Sequence, residues 1–371
     1  MRKLAPRWVA GLVVLVAMAL VAWAPLARHV RAAEFLTRLS QPAPPGAAAS
    51  SIATEDVTIL GKDGPIRARL YFRSGATPGP GIVVAHGVHY KGIDERRLVP
   101  FARALAESGL TVLTPELKEL ADYRITASGV DVIRAAVRYL PTRRDHVTGD
   151  KVGLLGFSFA GGLSLVAVEE PETAALVSSV TSVGGHYDLR RVLRFLIHNE
   201  IQTPSGVVHQ KAHEYGLVVL VYGNLEHFVP EADLPAMRAG FQAWLHEDQK
   251  AAREAAKART TPEAERLWQL LENGQLQTLA PELDALLERQ SAELSALSAA
   301  GHLQSLHVPV YLLHGSHDSV IPPSETDAAN LELGGAEHQA LVSPLLEHVE
   351  VSKTAGLGDK LALVSFMAKL L

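Results

Sequence analysis

The chain of 371 residues has no cysteine. That excludes disulfides, thiolate nucleophiles and zinc ribbons, so any covalent catalyst must be another residue type. It also lacks a basic surplus: 35 Lys and Arg stand against 40 Asp and Glu, for a formal charge of −5. Nucleic acid is therefore not an expected partner, because phosphate-backbone binding calls for clustered positive charge. No internal repeat recurs at a fixed period. What the chain does have is apolar content, 47% against 20% charged. This excludes disorder as the main state and provides core for one large domain or two ordinary ones.

The first thirty residues stand apart. From Trp8 to Ala27 there is no charge, and Arg2, Lys3 and Arg7 precede the run. Its length, roughly twenty residues, is what a helix needs to cross a bilayer core. The best small-x-small site, Ala22-Trp23-Ala24, is followed by Pro25, a poor residue beside a cleavage point, so an uncleaved single-pass anchor is expected over residues 1–30. The bulk of the chain is expected on the exported side (periplasmic or extracytoplasmic), or secreted if the segment is cleaved. Residues 31–51 are expected to be a linker. Its later part, SQPAPPGAAASS from Ser40 to Ser51, has nothing to bury and suits a semi-rigid spacer. The folded domain is expected to run from Ile52 to Leu371.

Within 52–371, short aliphatic or β-branched runs alternate with longer helical patterns. The strands expected are Gly81–Ala85, Thr111–Thr114, Val152–Gly156, Leu176–Val183, Val308–Leu313 and Ala340–Ser343. Helices are expected at Glu95–Ser108, Ala127–Leu140, Leu163–Val168, Ser324–Leu333 and from about Leu357 to the end. This alternation predicts an α/β fold with a doubly wound, mostly parallel sheet. Glu55–Leu60 and Ile66–Phe72, joined through Gly61–Gly64, predict an antiparallel edge hairpin. The stretch from about Tyr187 to His307 breaks the alternation and is expected to be a helical cap inserted between two strands. Its Leu283, Leu286, Leu287, Leu294 and Leu297 recur on one helical face and are expected to pack rather than to touch ligand.

In such a sheet, ligands bind beyond the carboxyl ends of the strands. After Val152–Leu155 comes Gly156-Phe157-Ser158-Phe159-Ala160-Gly161-Gly162. A serine with small residues two positions away on either side can occupy the sharp strand-to-helix turn that exposes a nucleophile. Ala160 stands where glycine is commoner. The Phe159 N–H would lie at the amino end of the following helix and could donate to a developing oxyanion. After Ile82–Ala85 comes His86-Gly87-Val88. There the glycine lets the loop double back, Val88 is the second candidate oxyanion donor, and His86 is expected to shape the loop beside the substrate rather than act as base. After Pro309–Leu313 comes His314-Gly315-Ser316-His317-Asp318, which offers Asp318 as the carboxylate. Asp327 is expected instead to form a capping box with Ser324. After Ala340–Ser343 comes a loop carrying His348, the candidate base. The rival His338 precedes that strand and should lie at its opposite end.

Serine is a weak nucleophile until a base removes its proton and a carboxylate orients that base. The chain order Ser158, Asp318, His348 supplies all three. With VVAHG (Val83–Gly87), GFSFAGG (Gly156–Gly162), VYLLHGSHDSVIP (Val310–Pro322) and LLEHVEV (Leu345–Val351), the sequence resembles the α/β-hydrolase superfamily, within it the dienelactone-hydrolase-like and prolyl-oligopeptidase-like esterases. The resemblance covers about Ile52–Leu371. It implies a serine hydrolase that cleaves a small-molecule ester, lactone, thioester or amide through an acyl-enzyme, most simply a membrane-tethered carboxylesterase, and it implies no cofactor. The long helical insertion departs from the minimal members. Two alternatives use the same chain: a non-catalytic binding module on the same fold, and an acyltransferase whose cap keeps water out.

Weaker signals complete the set. Tyr187, with Asp188, is expected at the pocket mouth. His209 and His213 have helical spacing for a metal pair and are followed by Glu214, but no third ligand is spaced to match, and no metal is expected.

Overall fold

The computed structural model describes residues 26–39, 51–203, 206–347, 350–351 and 356–371. The strands are β1 (Ile52–Gly61), β2 (Gly64–Arg73), β3 (Gly81–Ala85), β4 (Thr111–Pro115), β5 (Val152–Phe157), β6 (Val177–Val183), β7 (Glu200–Thr203), β8 (Gly206–His209), β9 (Val310–Gly315), β10 (His338–Ser343), β11 (Leu346–Glu347) and β12 (Glu350–Val351). Helix α1 covers residues 26–39. It is followed by α2 (Leu98–Glu107), α3 (Lys118–Ala121), α4 (Ala127–Tyr139), α5 (Phe159–Ala167) and α6 (Pro171–Leu176). Then come α7 (Leu189–His198), α8 (Glu214–Tyr222), α9 (Leu234–Leu245), α10 (Gln249–Ala256), α11 (Pro262–Glu272), α12 (Ala280–Arg289) and α13 (Ser291–Ala296), and last α14 (Ser324–Glu332) and α15 (Leu357–Met367).

Eight strands form one sheet in the order β1-β2-β4-β3-β5-β6-β9-β10. Strand β2 runs antiparallel to both β1 and β4, and every other pairing in this sheet is parallel. The parallel strands β3, β4 and β9 are buried along their whole length, as strands covered on both faces must be. Successive residues serve opposite layers. Val83, Leu113 and Leu154 pack with Ile133 of α4 and Leu163 of α5, whereas Val84, Val112 and Leu155 pack with Phe35 of α1, Leu105 of α2 and Phe366 of α15. All parallel strands thus deliver the residues after them to one edge of the sheet.

Between β6 and β9 the chain leaves the sheet to build a cap from α7–α13 and the small β7–β8 ribbon. Both roots of the cap are tied to α14. The buried Glu325 carboxylate accepts from Tyr187 N at 3.0 Å and Asp188 N at 2.8 Å and pairs with Arg191. At the exit, Glu332 accepts from Gly301 N and Leu303 N, each at 3.0 Å. The expected leucine face is in the core, since Leu283, Leu286, Leu287, Leu294 and Leu297 are all buried.

Two sequence expectations are altered, and a third falls almost wholly outside the described residues. Residues 31–39 do not belong to a linker: they lie in α1, where Ala32 and Phe35 are fully buried and the Phe35 ring meets Phe101 edge-on at 5.4 Å. The apolar run Trp8–Ala27 lies outside the described residues except for its last two, which open α1. Among the described residues no helix is long and apolar enough to cross a membrane. Finally, α14 has Pro323 rather than Ser324 at its N-cap position, and Ser324 Oγ makes no capping bond. The helix starts at Ser324 itself, after two prolines, so the Ser324–Asp327 spacing falls inside the first turn instead of framing it.

Candidate active site

Ser158 stands between the last residue of β5 and the first of α5, with φ 54° and ψ −133°. Non-glycine residues rarely take this conformation, and a fold keeps it at a cost of order 1–3 kcal/mol only where the surroundings enforce it. They do so here. Ser158 N–H donates to Val183 O at 2.8 Å, and its carbonyl accepts from Gly161 N at 2.7 Å. The turn is so tight that a Cβ at Gly156 would fall 2.2 Å from Ala160 O and 2.5 Å from Ser164 Oγ. Ala160, at the position where glycine is commoner, is fully buried in the core. Phe159 is the first residue of α5, where backbone amides have no intrahelical acceptor.

The loop after β3 passes directly over this turn: a Cβ on Gly87 would sit 3.0 Å from Ser158 Cβ. Val88 follows, and among the described residues its N–H has no hydrogen-bond partner. His86 shapes this loop. Its Nε2 accepts from Leu117 N at 3.0 Å, which places the hydrogen on Nδ1, 2.8 Å from Gly87 O. Burial holds its pKa down to about 4. With both nitrogens engaged by backbone and the ring neutral, His86 cannot serve as base, although it borders the cavity with Gly87 and Val88. Further along, His89, Tyr90 and the cap residue His246 form a three-ring stack, with centroids 4.8 and 4.0 Å apart, which braces the loop against the cap.

Asp318 follows β9 at the same sheet edge and is fully buried. Its Oδ1 accepts from Val320 N at 2.8 Å and Ile321 N at 3.0 Å, and its Oδ2 lies 3.3 Å from His314 Nε2. The cap also reaches this loop, since Gln210 Nε2 donates to Asp318 O at 2.9 Å. His314 was not singled out from the sequence. It is buried at the end of β9 between Thr326 Oγ1 (2.8 Å) and Ile321 O (2.9 Å), and so stiffens the carboxylate loop. Its signal was its spacing, four residues before Asp318 and inside a strand.

His348 and Val349 lie outside the described residues. The residues on either side, Glu347 and Glu350, are paired across β11 and β12, and Leu345 and Leu346 border the same cavity as Ser158. His338 is the first residue of β10, in register with Val310 at the start of β9. It is therefore at the sheet edge opposite Ser158.

The cavity that Ser158 and Phe159 border has a volume of about 1820 Å³, above the roughly 300–1,000 Å³ of ordinary small-molecule sites. On the cap side its wall combines aliphatic residues, among them Leu189, Leu193, Leu196, Val219, Leu220 and Leu297, with polar ones such as Asn224, Glu226, Gln290 and Glu293. Leu294 and Leu297, expected only to pack, also border it. Tyr187 does not, contrary to expectation. Its hydroxyl donates to Glu332 and its ring lies under Arg191 at 5.5 Å, because the cap root turns toward α14 rather than over the site. His209 and His213 do not share a helix face: His209 ends β8, while His213 caps α8 by accepting Tyr215 N–H at 3.3 Å. Among the described residues there is no group of three or more side chains suited to hold a metal ion.

No protein-family model matches the sequence, and no curated protein matches it. Solved structures do. A rice cell-wall-degrading esterase, LipA from Xanthomonas oryzae, aligns over 91% of this chain and 94% of its own, with 14% identity and a TM-score of 0.53. An esterase of Pyrobaculum calidifontis covers 92% and 89% at 18% identity and a TM-score of 0.45. A dienelactone hydrolase of Anabaena variabilis covers 86% and 96% at 15% identity and a TM-score of 0.43. Taken with the strand order, the Ser158 turn and the cap between β6 and β9, the likeness to LipA establishes that this chain has the α/β-hydrolase fold.

Proposed function

We propose that the chain is a serine hydrolase that cleaves a carboxylic ester through an acyl-enzyme. Ser158 Oγ attacks the acyl carbon as His348 takes its proton. Asp318, its carboxylate already fixed by two backbone amides, holds the imidazole in the right tautomer and stabilises its charge. The amides of Val88 and Phe159 receive the oxyanion as the tetrahedral species forms. His348 then protonates the departing alkoxide. Water activated by the same imidazole attacks the acyl group on Ser158, and the acid leaves. The observation that carries this proposal is the enforced positive-φ conformation of Ser158, with Gly87 packed against it at the wall of a large cavity. The apolar run Trp8–Ala27 with its basic flank supports a further proposal: that it tethers the hydrolase to a membrane with the catalytic domain exported.

The test is covalent labelling of the full chain with a fluorophosphonate probe. One adduct on Ser158 is expected. Ser158→Ala should lose the adduct and the turnover of p-nitrophenyl acetate while keeping the thermal transition. His348→Ala should lower kcat by roughly three orders of magnitude or more, and His338→Ala should leave it near wild type. A folded sample that takes no label, or one labelled at another residue, overturns the assignment.

A further inference from the structure

The cavity at Ser158 has a second arm, on the face of the sheet away from the cap. It starts beside the nucleophile. Phe157 immediately precedes Ser158, and its ring meets Phe101 edge-on at 5.0 Å, as Phe101 meets Phe35 of α1 at 5.4 Å. Beyond this aromatic relay the walls are Leu36 and Leu39 from α1 and Leu363, Val364 and Met367 from α15, all bordering the cavity that Ser158 borders. None of these five side chains carries a hydrogen-bonding oxygen or nitrogen, and the polar residues that the same two helices add to the cavity border, Thr37 and Lys360, are solvent-exposed, so aliphatic contact dominates the arm. Helix α1 is held in place by the buried Phe35 and by Arg38, whose Nη1 lies 3.2 Å from Glu107 Oε2 on α2.

We propose that α1 is a specificity element: the arm between α1 and α15 binds an extended, unsubstituted hydrocarbon chain of the ester whose acyl carbon sits at Ser158. This rests on Ser158 being the nucleophile. The occupant follows from the continuity of the arm with the reacting serine and from the aliphatic side chains that α1 and α15 turn to it. A hydrocarbon chain gains from each methylene it buries there, up to about fourfold in binding per methylene, until the arm is filled. The chain can belong to the acid or to the alcohol, since both flank the same carbon.

Two substrate series separate these sources: p-nitrophenyl esters from acetate through butyrate and octanoate to laurate, and acetates of butanol, octanol and dodecanol. Wild-type full chain is expected to show kcat/KM rising with length in one series. Leu36→Trp, which fills the arm from a half-buried position, should lower kcat/KM for the long members of that series about tenfold or more. It should leave p-nitrophenyl acetate within about twofold, since that acyl group is too short to enter the arm. Leu39→Ala, which removes volume from the same wall, should move the preferred length upward and serves if the tryptophan variant does not fold. Length profiles that neither substitution changes, with Ser158→Ala still abolishing turnover of p-nitrophenyl acetate, overturn the arm and leave the nucleophile standing. Turnover that survives Ser158→Ala overturns both.

Discussion

The contact between Gly87 and Ser158 admits an added carbon only if a neighbour shifts by a few tenths of an ångström. A methyl at position 87 would meet Ser158 Cβ at 3.0 Å and Phe157 O at 3.3 Å, so either the loop or the turn must give way. A shift of the loop moves the Val88 amide that it carries. Gly87→Ala is therefore expected to lower kcat by about two orders of magnitude, the usual loss when one oxyanion donor is displaced, with little change in KM or in thermal stability. Steady-state kinetics beside a melting curve checks this, and an unchanged kcat would remove Val88 from the oxyanion site. At this scale the sequence located the sharp turn at Ser158, the close approach of Gly87 and the loop of Asp318, because small residues around a reactive one after a strand leave few physical alternatives for the backbone. It misplaced Tyr187, whose direction depends on Glu332, 145 residues away. It passed over His314, whose partners Thr326 and Ile321 become neighbours only once the loop has folded back.

Among the elements, α1 was the least legible. Arg28, Arg31, Glu34 and Arg38 interrupt it, and an apolar run and a Pro/Ala spacer flank it, so composition suggested a connector. The signal was nevertheless present: Ala32, Phe35, Leu36 and Leu39 recur at three- and four-residue intervals, the stripe a helix needs to lie on a core. Phe35 carries most of the docking, being fully buried and in edge contact with Phe101. Phe35→Ala should destabilise the protein by about 3 kcal/mol, the lower end for a buried phenylalanine lost from a packed core. Urea unfolding should show the midpoint falling at unchanged slope. A shift too small to resolve would mean that α1 is not part of the cooperative unit. The central strands were legible for the opposite reason: a parallel strand buried on both faces is a nearly unbroken aliphatic run, and its neighbours had that signature.

Across the whole molecule, two buried histidines set an acid limit. His86 lies under the oxyanion loop, and His186 lies between α5 and the cap, with Nε2 2.9 Å from Leu297 O. Burial lowers both from the usual 6.5 to about 4. Both rings are therefore neutral in the folded chain at neutral pH, while the unfolded chain takes up two protons below about pH 6.5. Stability from these groups is fully present above that pH and falls as the pH drops toward 4, by an amount on the order of 3 kcal/mol for each ring. Denaturant midpoints measured between about pH 7 and pH 5 should decline, and His186→Gln should remove roughly half of the slope. A flat profile in the parent would show that neither ring is sealed from water.

The two carboxylates of α14 that grip the cap at its entry and exit also determine how a substrate enters. A hinged door needs a free edge at its jamb, and here both jambs are bolted to the frame that carries Asp318. A swing of the cap about either root would have to break these bonds, so the fastening keeps the cap in register with the reacting groups while substrate comes and goes.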